Sequence, residues 1–236
     1  MNEDHTLIVP MLNTSEKYKD KVPIEFQYDN VTGELNCIKC LLSINISQFT
    51  HIFFIILKSH EEQYNVSRKL NVSLNKYSEF NDKSIIVSFV DFPTKSQCET
   101  IYNTIKKYNI TGHILIKDAD TLYKCDDPIN GNTVMIYSME NLPLVDPQHK
   151  SYVKLDDQKY VINIIEKRII SKYFSCGGYS FNDADDFVYG YEHLLEFEDI
   201  RNHMYISHII YYLMLYKHIK FKQIEATYYE DFEIKN

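Results

Sequence analysis

The first half of the chain alternates short, unbroken apolar runs with longer segments of helical periodicity. Thr6–Met11 and His51–Leu57 (HIFFIIL) are continuous apolar stretches of strand length, the pattern of strands buried on both faces. Ser84–Val90 (SIIVSFV) predicts a third strand, and residues 113–116 a fourth. Between them, residues 36–44 and 60–70 predict helices, and residues 95–108 carry the clearest amphipathic signal. There Cys98, Ile101, Tyr102, Ile105 and Tyr108 fall at the spacing of one buried helix face. Strand, helix, strand at this spacing predicts right-handed βαβ units and a parallel sheet.

The second half changes character. Residues 133–139, 152–155, 160–166 and Tyr173–Phe181 predict strands with short polar connections, the second and third pairing as a hairpin. Asn182 or Asp183 is placed to cap a helix whose inner face is Phe187, Val188, Tyr191, Leu194 and Leu195. Residues 205–216 predict a further helix and residues 221–228 a closing strand. No Pro/Gly/Ser-rich linker and no repeat interrupts the pattern, so residues 1–236 read as one domain. The class is α/β: a three-layer α/β/α sandwich with a mainly parallel, Rossmann-like sheet.

In such sheets ligands bind beyond the carboxyl ends of the strands. That singles out residues 12–22, after the first strand, and Asp118-x-Asp120, after the fourth. Carboxylates at a strand end suit Mg²⁺, which takes oxygen ligands; an Asx turn leaving the strand explains the same residues equally well. Thr94 with Gln97 three residues on reads as a capping box for the best helix, whose N-terminus offers N–H groups and a positive dipole end to a phosphate.

Charge and cysteine content narrow the setting. A net charge of −8 lacks the basic field of a phosphate-tracking nucleic-acid binder, so no nucleic-acid partner is expected. The N-terminus has no basic n-region and no apolar run is long enough to span a bilayer, so neither secretion nor a membrane is expected. The 5 cysteines are odd in number and scattered, which suits reduced thiols in a cytoplasmic protein. Cys37-x-x-Cys40 has no second ligand pair, and structural zinc needs four ligands.

Several segments, in order along the chain, carry a family resemblance. Residues 94–100, T-K-S-Q-C-E-T, resemble the T-x-G-Q-A-E-T helix start of sugar-1-phosphate nucleotidyltransferases. Residues 7–18, L-I-V-P-M-L-N-T-S-E-K-Y, are similar in register to that family's I-V-P-M-A-G-x-G-S-R-F. S-Y-V-K-L-D-D from Ser151, then Glu166-Lys167-Arg168 and Gly177-Gly178-Tyr179-Ser180-Phe181, resemble its V-x-x-D, E-K-P and G-x-Y-x-F elements. Tyr229-Glu230-Asp231 stands where W-x-D would be. Departures fall mainly in the phosphate loop: Leu12, Asn13 and Ser15 take the positions of A, G and G, Lys17 that of the arginine, and Ile24 that of a lysine.

The resemblance implies a nucleotide-diphospho-sugar transferase fold, with a nucleotide half over residues 1–125 and a sugar-phosphate half over residues 126–236. It implies transfer of NMP from an NTP to a sugar 1-phosphate, giving a nucleotide sugar and pyrophosphate. Lys17 and Asp120 would be catalytic; Leu12, Asn13, Gln97 and Thr100 would bind nucleotide; Glu166, Lys167 and Gly177 would bind sugar phosphate. Asp120 and Asp231 would share one Mg²⁺ across the cleft. Two other readings stay open: a catalytically degenerate relative that binds sugar phosphate, nucleotide or a partner protein, and a metal-dependent glycosyltransferase using Asp118-x-Asp120. A homo-oligomer is left open.

Overall fold

A computed structural model describes residues 5–12, 21–142 and 149–232. Its central feature is a mixed, mostly parallel sheet. Strands β1 (Thr6–Met11), β2 (His51–Leu57) and β3 (Ser84–Val90) follow the expected bounds, and β4 spans Ile114–Lys117. β2 and β4 flank β1 in parallel, and β3 pairs parallel to β2 at the edge. After β5 (Thr121–Lys124), β6 (Thr133–Ser138), β7 (Ser151–Leu155) and β8 (Val161–Glu166), strand β9 (Tyr173–Phe181) runs antiparallel between β4 and β6. β7 and β8 form the expected hairpin, with β7 also pairing β9.

Period-two alternation along β1 and β2 feeds two cores. Leu7, Val9, Ile52 and Phe54 enter one, under helices α1 (Asn36–Leu41), α2 (Lys58–Tyr64) and α3 (Val66–Leu74). Ile8, Phe53 and Ile55 enter the other, with helices α4 (Gln97–Tyr108), α5 (Ala184–Leu194) and, beyond the short α6 (Glu198–Arg201), α7 (Ile206–Tyr216). This is the expected three-layer arrangement.

Local differences have physical reasons. The helix expected over residues 60–70 is two helices broken at Asn65, which sits in the left-handed region with φ 51°. Asparagine is one of the few non-glycine residues that tolerates this. The cap of α4 is Ser96, not Thr94: the Ser96 hydroxyl accepts from Glu99 N–H at 3.2 Å, and Thr94 instead bonds the Thr100 hydroxyl at 2.6 Å. The strand expected over residues 221–228 is two. β10 (Lys222–Glu225) joins β6 in parallel, and β11 (Tyr228–Asp231) leaves it to pair antiparallel with β5. Asp183 caps α5 as expected. Cys37 and Cys40 are both buried in α1, where burial pushes the Cys40 thiol up to about 12. No helix among the described residues is long and apolar enough to cross a membrane.

Candidate active site

β1 is followed by β2 and β3 on one side, whereas β4 returns to its other side. The carboxyl ends of β1 and β4 therefore bracket the switch point where the strand order reverses, the place where open α/β sheets bind ligands. A cleft of about 380 Å³ opens there, between Met11 and Leu12 at the end of β1, residues 94–97 at the start of α4, and Asp118–Asp120 after β4. A smaller lobe of about 140 Å³ adjoins it, lined by Lys150, Ser151, Glu166, Gly177, Tyr205 and Tyr229. Gln97 and Asp118 line both lobes.

Asp118 is the hinge between the lobes. Its Oδ1 accepts from Gln97 Nε2 at 2.7 Å, and its backbone N–H donates to the Gly177 carbonyl at 2.8 Å. Gly177 has φ +79°, and a Cβ there would lie 2.2 Å from Asp118 Oδ2, so this glycine makes room for the carboxylate. Burial holds the Asp118 carboxyl above its ordinary range, reinforced by Asp231 and opposed by Gln97, Lys117 and Lys150.

Beneath the loop lies Lys117, fully buried at the end of β4. Its ammonium donates to the carbonyls of Thr121 at 2.5 Å and Asp118 at 3.2 Å and lies 4.1 Å from the Tyr123 ring centre. Burial pushes its pKa down. The two carbonyl bonds fix the path of the chain through Asp118-x-Asp120.

In the smaller lobe, a second buried lysine organises β11. Lys150 Nζ donates to Asp231 Oδ2 at 2.6 Å and to the Tyr229 hydroxyl at 2.5 Å, with side-chain exposures of 8% for Lys150 and 12% for Asp231. Glu166, at the end of β8, accepts from the hydroxyls of Ser151 and Ser207, the latter at 3.1 Å. Lys167 follows with a left-handed φ of 59° and donates to the Tyr205 hydroxyl at 2.6 Å, which holds its pKa above the usual lysine value.

Leu12, Gln97, Thr100 and Asp120 line the larger lobe, while Glu166 and Gly177 line the smaller one beside the exposed Lys167. Thr100 is buried and its hydroxyl is engaged by Thr94. Asn13 and Lys17 lie outside the described residues. Asp120 and Asp231 both belong to the base of the β5–β11 ribbon: Asp231 pairs with Thr121, and the Asp120 carbonyl accepts from Phe232 N–H at 3.0 Å.

Asp231 Oδ2, as it is paired here, is not open to a resident divalent ion. Asp231 already holds the Lys150 ammonium and Asp118 a Gln97 amide. No group of three His, Cys, Asp or Glu side chains able to hold a metal converges among the described residues. Lys117 and Lys150 were not assigned a role from the sequence, and Tyr229 was noted only as part of the Tyr229-Glu230-Asp231 element.

No family model and no curated protein sequence matches the chain. Solved structures do. A nucleoside-diphosphate-sugar pyrophosphorylase from Vibrio cholerae superposes with a TM-score of 0.70 at 18% identity, covering 93% of this chain and 91% of that one. A putative glucose-1-phosphate thymidylyltransferase from Bacillus anthracis gives 0.69 at 17%, covering 96% and 89%. The chain has a nucleotidyltransferase fold. An inositol-1-phosphate CTP transferase from T. maritima shares it, with a TM-score of 0.67 at 14% identity over 97% of this chain and 89% of that one. The nucleotidyltransferase fold extends through both lobes of the cleft, since each alignment covers nearly the whole of both chains.

Proposed function

We propose that the protein transfers a nucleotidyl group from an NTP to a sugar 1-phosphate or a similar phosphorylated polyol, releasing pyrophosphate. The observation that carries this reading is the two-lobed cleft, whose lobes meet at Gln97 and Asp118 over the carboxyl ends of β1 and β4. Two ligands seated in adjoining lobes present their reacting phosphates to each other, and holding them so supplies much of the rate. The named activities of the structural neighbours agree with it.

In this reading the nucleotide occupies the larger lobe, with its phosphates toward the N-terminus of α4, where backbone N–H groups and the helix dipole favour negative charge. The acceptor lies in the smaller lobe. Its hydroxyls meet Glu166, held by Ser151 and Ser207, and its phosphate meets Lys150 and Lys167. A phosphate oxygen of the acceptor attacks the α-phosphorus in line. One P–O bond forms, the bond to the β-phosphate oxygen breaks, and pyrophosphate departs with the electron pair. Lys17, which matches the family's loop arginine, supplies positive charge near the leaving group. The reaction takes place inside the cell, where both substrates are made.

Hydrogen exchange tests the assignment of the lobes. NTP is expected to slow exchange over residues 94–100, and sugar 1-phosphate over residues 149–151 and 205–208. Lys167→Ala should remove the second footprint and keep the first. Footprints that coincide, or that fall outside both lobes, contradict the reading.

A further inference from the structure

We propose that the Lys150 ammonium is the resident cation of this site, standing on Asp231 where a divalent ion would otherwise bind. The ammonium is built in from several directions. It sits on Asp231 Oδ2 and on the Tyr229 hydroxyl, with the ring centres of Tyr229 and Phe174 at 5.1 and 5.7 Å. Tyr229 itself donates to the same Asp231 oxygen at 3.2 Å, so the phenol, ammonium and carboxylate form a closed cluster. Aromatic faces stabilise a cation further once it is withdrawn from water.

An ammonium carries three N–H donors. Two are used by Asp231 and Tyr229, and the third has no partner among the described residues. Lys150 lines the smaller lobe, so that third donor is available to an anionic ligand oxygen there. A phosphate oxygen is the fitting acceptor, because the charge-assisted bond compensates an ammonium that is otherwise shut from water.

The same geometry disfavours a second cation on that oxygen. Magnesium binds oxygen at about 2.1 Å, so an ion on Asp231 Oδ2 would lie at most about 4.7 Å from Lys150 Nζ. Two positive centres at that separation in a half-buried site repel strongly, and only the ammonium is tethered to the chain. The lysine therefore replaces the metal rather than assisting it. This inference deepens the reading of the cleft as a phosphate-transfer site and rests on that reading for its consequence. Its test does not depend on it.

Mn²⁺ binding to the full-length protein, followed by electron paramagnetic resonance without nucleotide or sugar phosphate, provides that test. The unmodified protein is expected to show no saturable site below about 1 mM. Lys150→Met removes the charge beside Asp231 and keeps an apolar stem. Binding should tighten about tenfold or more, and Asp231→Asn added to Lys150→Met should abolish the gain. Lys150→Arg should behave as the unmodified protein does. A folded Lys150→Met variant, judged by circular dichroism, that gains no Mn²⁺ site overturns the proposal. So does saturable Mn²⁺ binding to the unmodified protein that Asp231→Asn alone removes, a result needing no Lys150 variant. Absence of pyrophosphate release with every substrate would instead refute the transfer reaction and leave this result standing.

Discussion

Gly177→Ala puts a methyl group where β9 meets the loop after β4 beside the active cleft. The added Cβ would lie 2.2 Å from Asp118 Oδ2, 2.8 Å from its Cγ and 2.9 Å from its Cβ. None of these contacts is tolerable, so the carboxylate must swing away and surrender its bond to Gln97. Loss of one partly exposed, charge-assisted hydrogen bond costs about 1–2 kcal/mol. The positive φ adds about 1–2 kcal/mol for any residue with a side chain. Together the substitution should destabilise the protein by about 2–4 kcal/mol, and for a chain of this length that lowers Tm by on the order of 5–10 °C. Gly131→Ala is the matched control, because its φ is +69° but nothing lies within 4 Å of the added Cβ. It should show the backbone cost alone. Urea unfolding of the three proteins measures the difference through the midpoint at constant m. Equal losses for Gly177→Ala and Gly131→Ala would refute the claim that Gly177 exists to admit the Asp118 carboxylate.

Two further outcomes follow from burial. His113 is 5% exposed and its pKa is pushed down to about 4 by burial, with His5 adding to the effect. The unfolded chain takes up that proton near pH 6.5 and the folded chain does not, so stability should fall as pH drops from about 6.5 to about 4, by roughly 3 kcal/mol in all. In urea titrations His113→Phe should flatten that decline, and an unchanged slope would refute the assignment. Cys37, Cys40, Cys98 and Cys176 are buried with thiols pushed upward, while Cys125 is partly exposed. A disulfide reagent should label Cys125 first in the native protein and the other four only on unfolding; rapid native labelling of Cys37 or Cys40 would contradict the burial.

The strands were legible because continuous apolar runs such as His51–Leu57 admit few alternatives, and a strand-end aspartate is informative once the sheet is known to be parallel. Breaks that depend on a single left-handed residue were not. Asn65 separates a polar helix with no buried residue from an amphipathic one that buries Val66, Leu70 and Leu74, and no Gly or Pro marks the break. The closing strand divided for a different reason: β10 and β11 follow different partners, β6 and β5, and a one-dimensional pattern carries no partner information. The site was half visible. Glu166, Gly177 and Gln97, picked out by motif order, line the cleft, and Lys167 adjoins it through Tyr205. Lys150 stayed hidden because its partner comes from a distant segment: it meets Asp231 across 81 residues. Lys117 bonds carbonyls one and four residues on, and what hid it is its burial under its own loop.

Pyrophosphate release from the four common NTPs, each paired with a panel of sugar 1-phosphates and inositol 1-phosphate, tests the central claim most directly. At least one pair should turn over, and Lys167→Ala should lower the rate on the order of 100-fold, the usual cost of losing one charge-stabilising group at a reacting phosphate. No release with any pair from folded protein, or release indifferent to Lys167→Ala, would contradict nucleotidyl transfer at the junction of the two lobes.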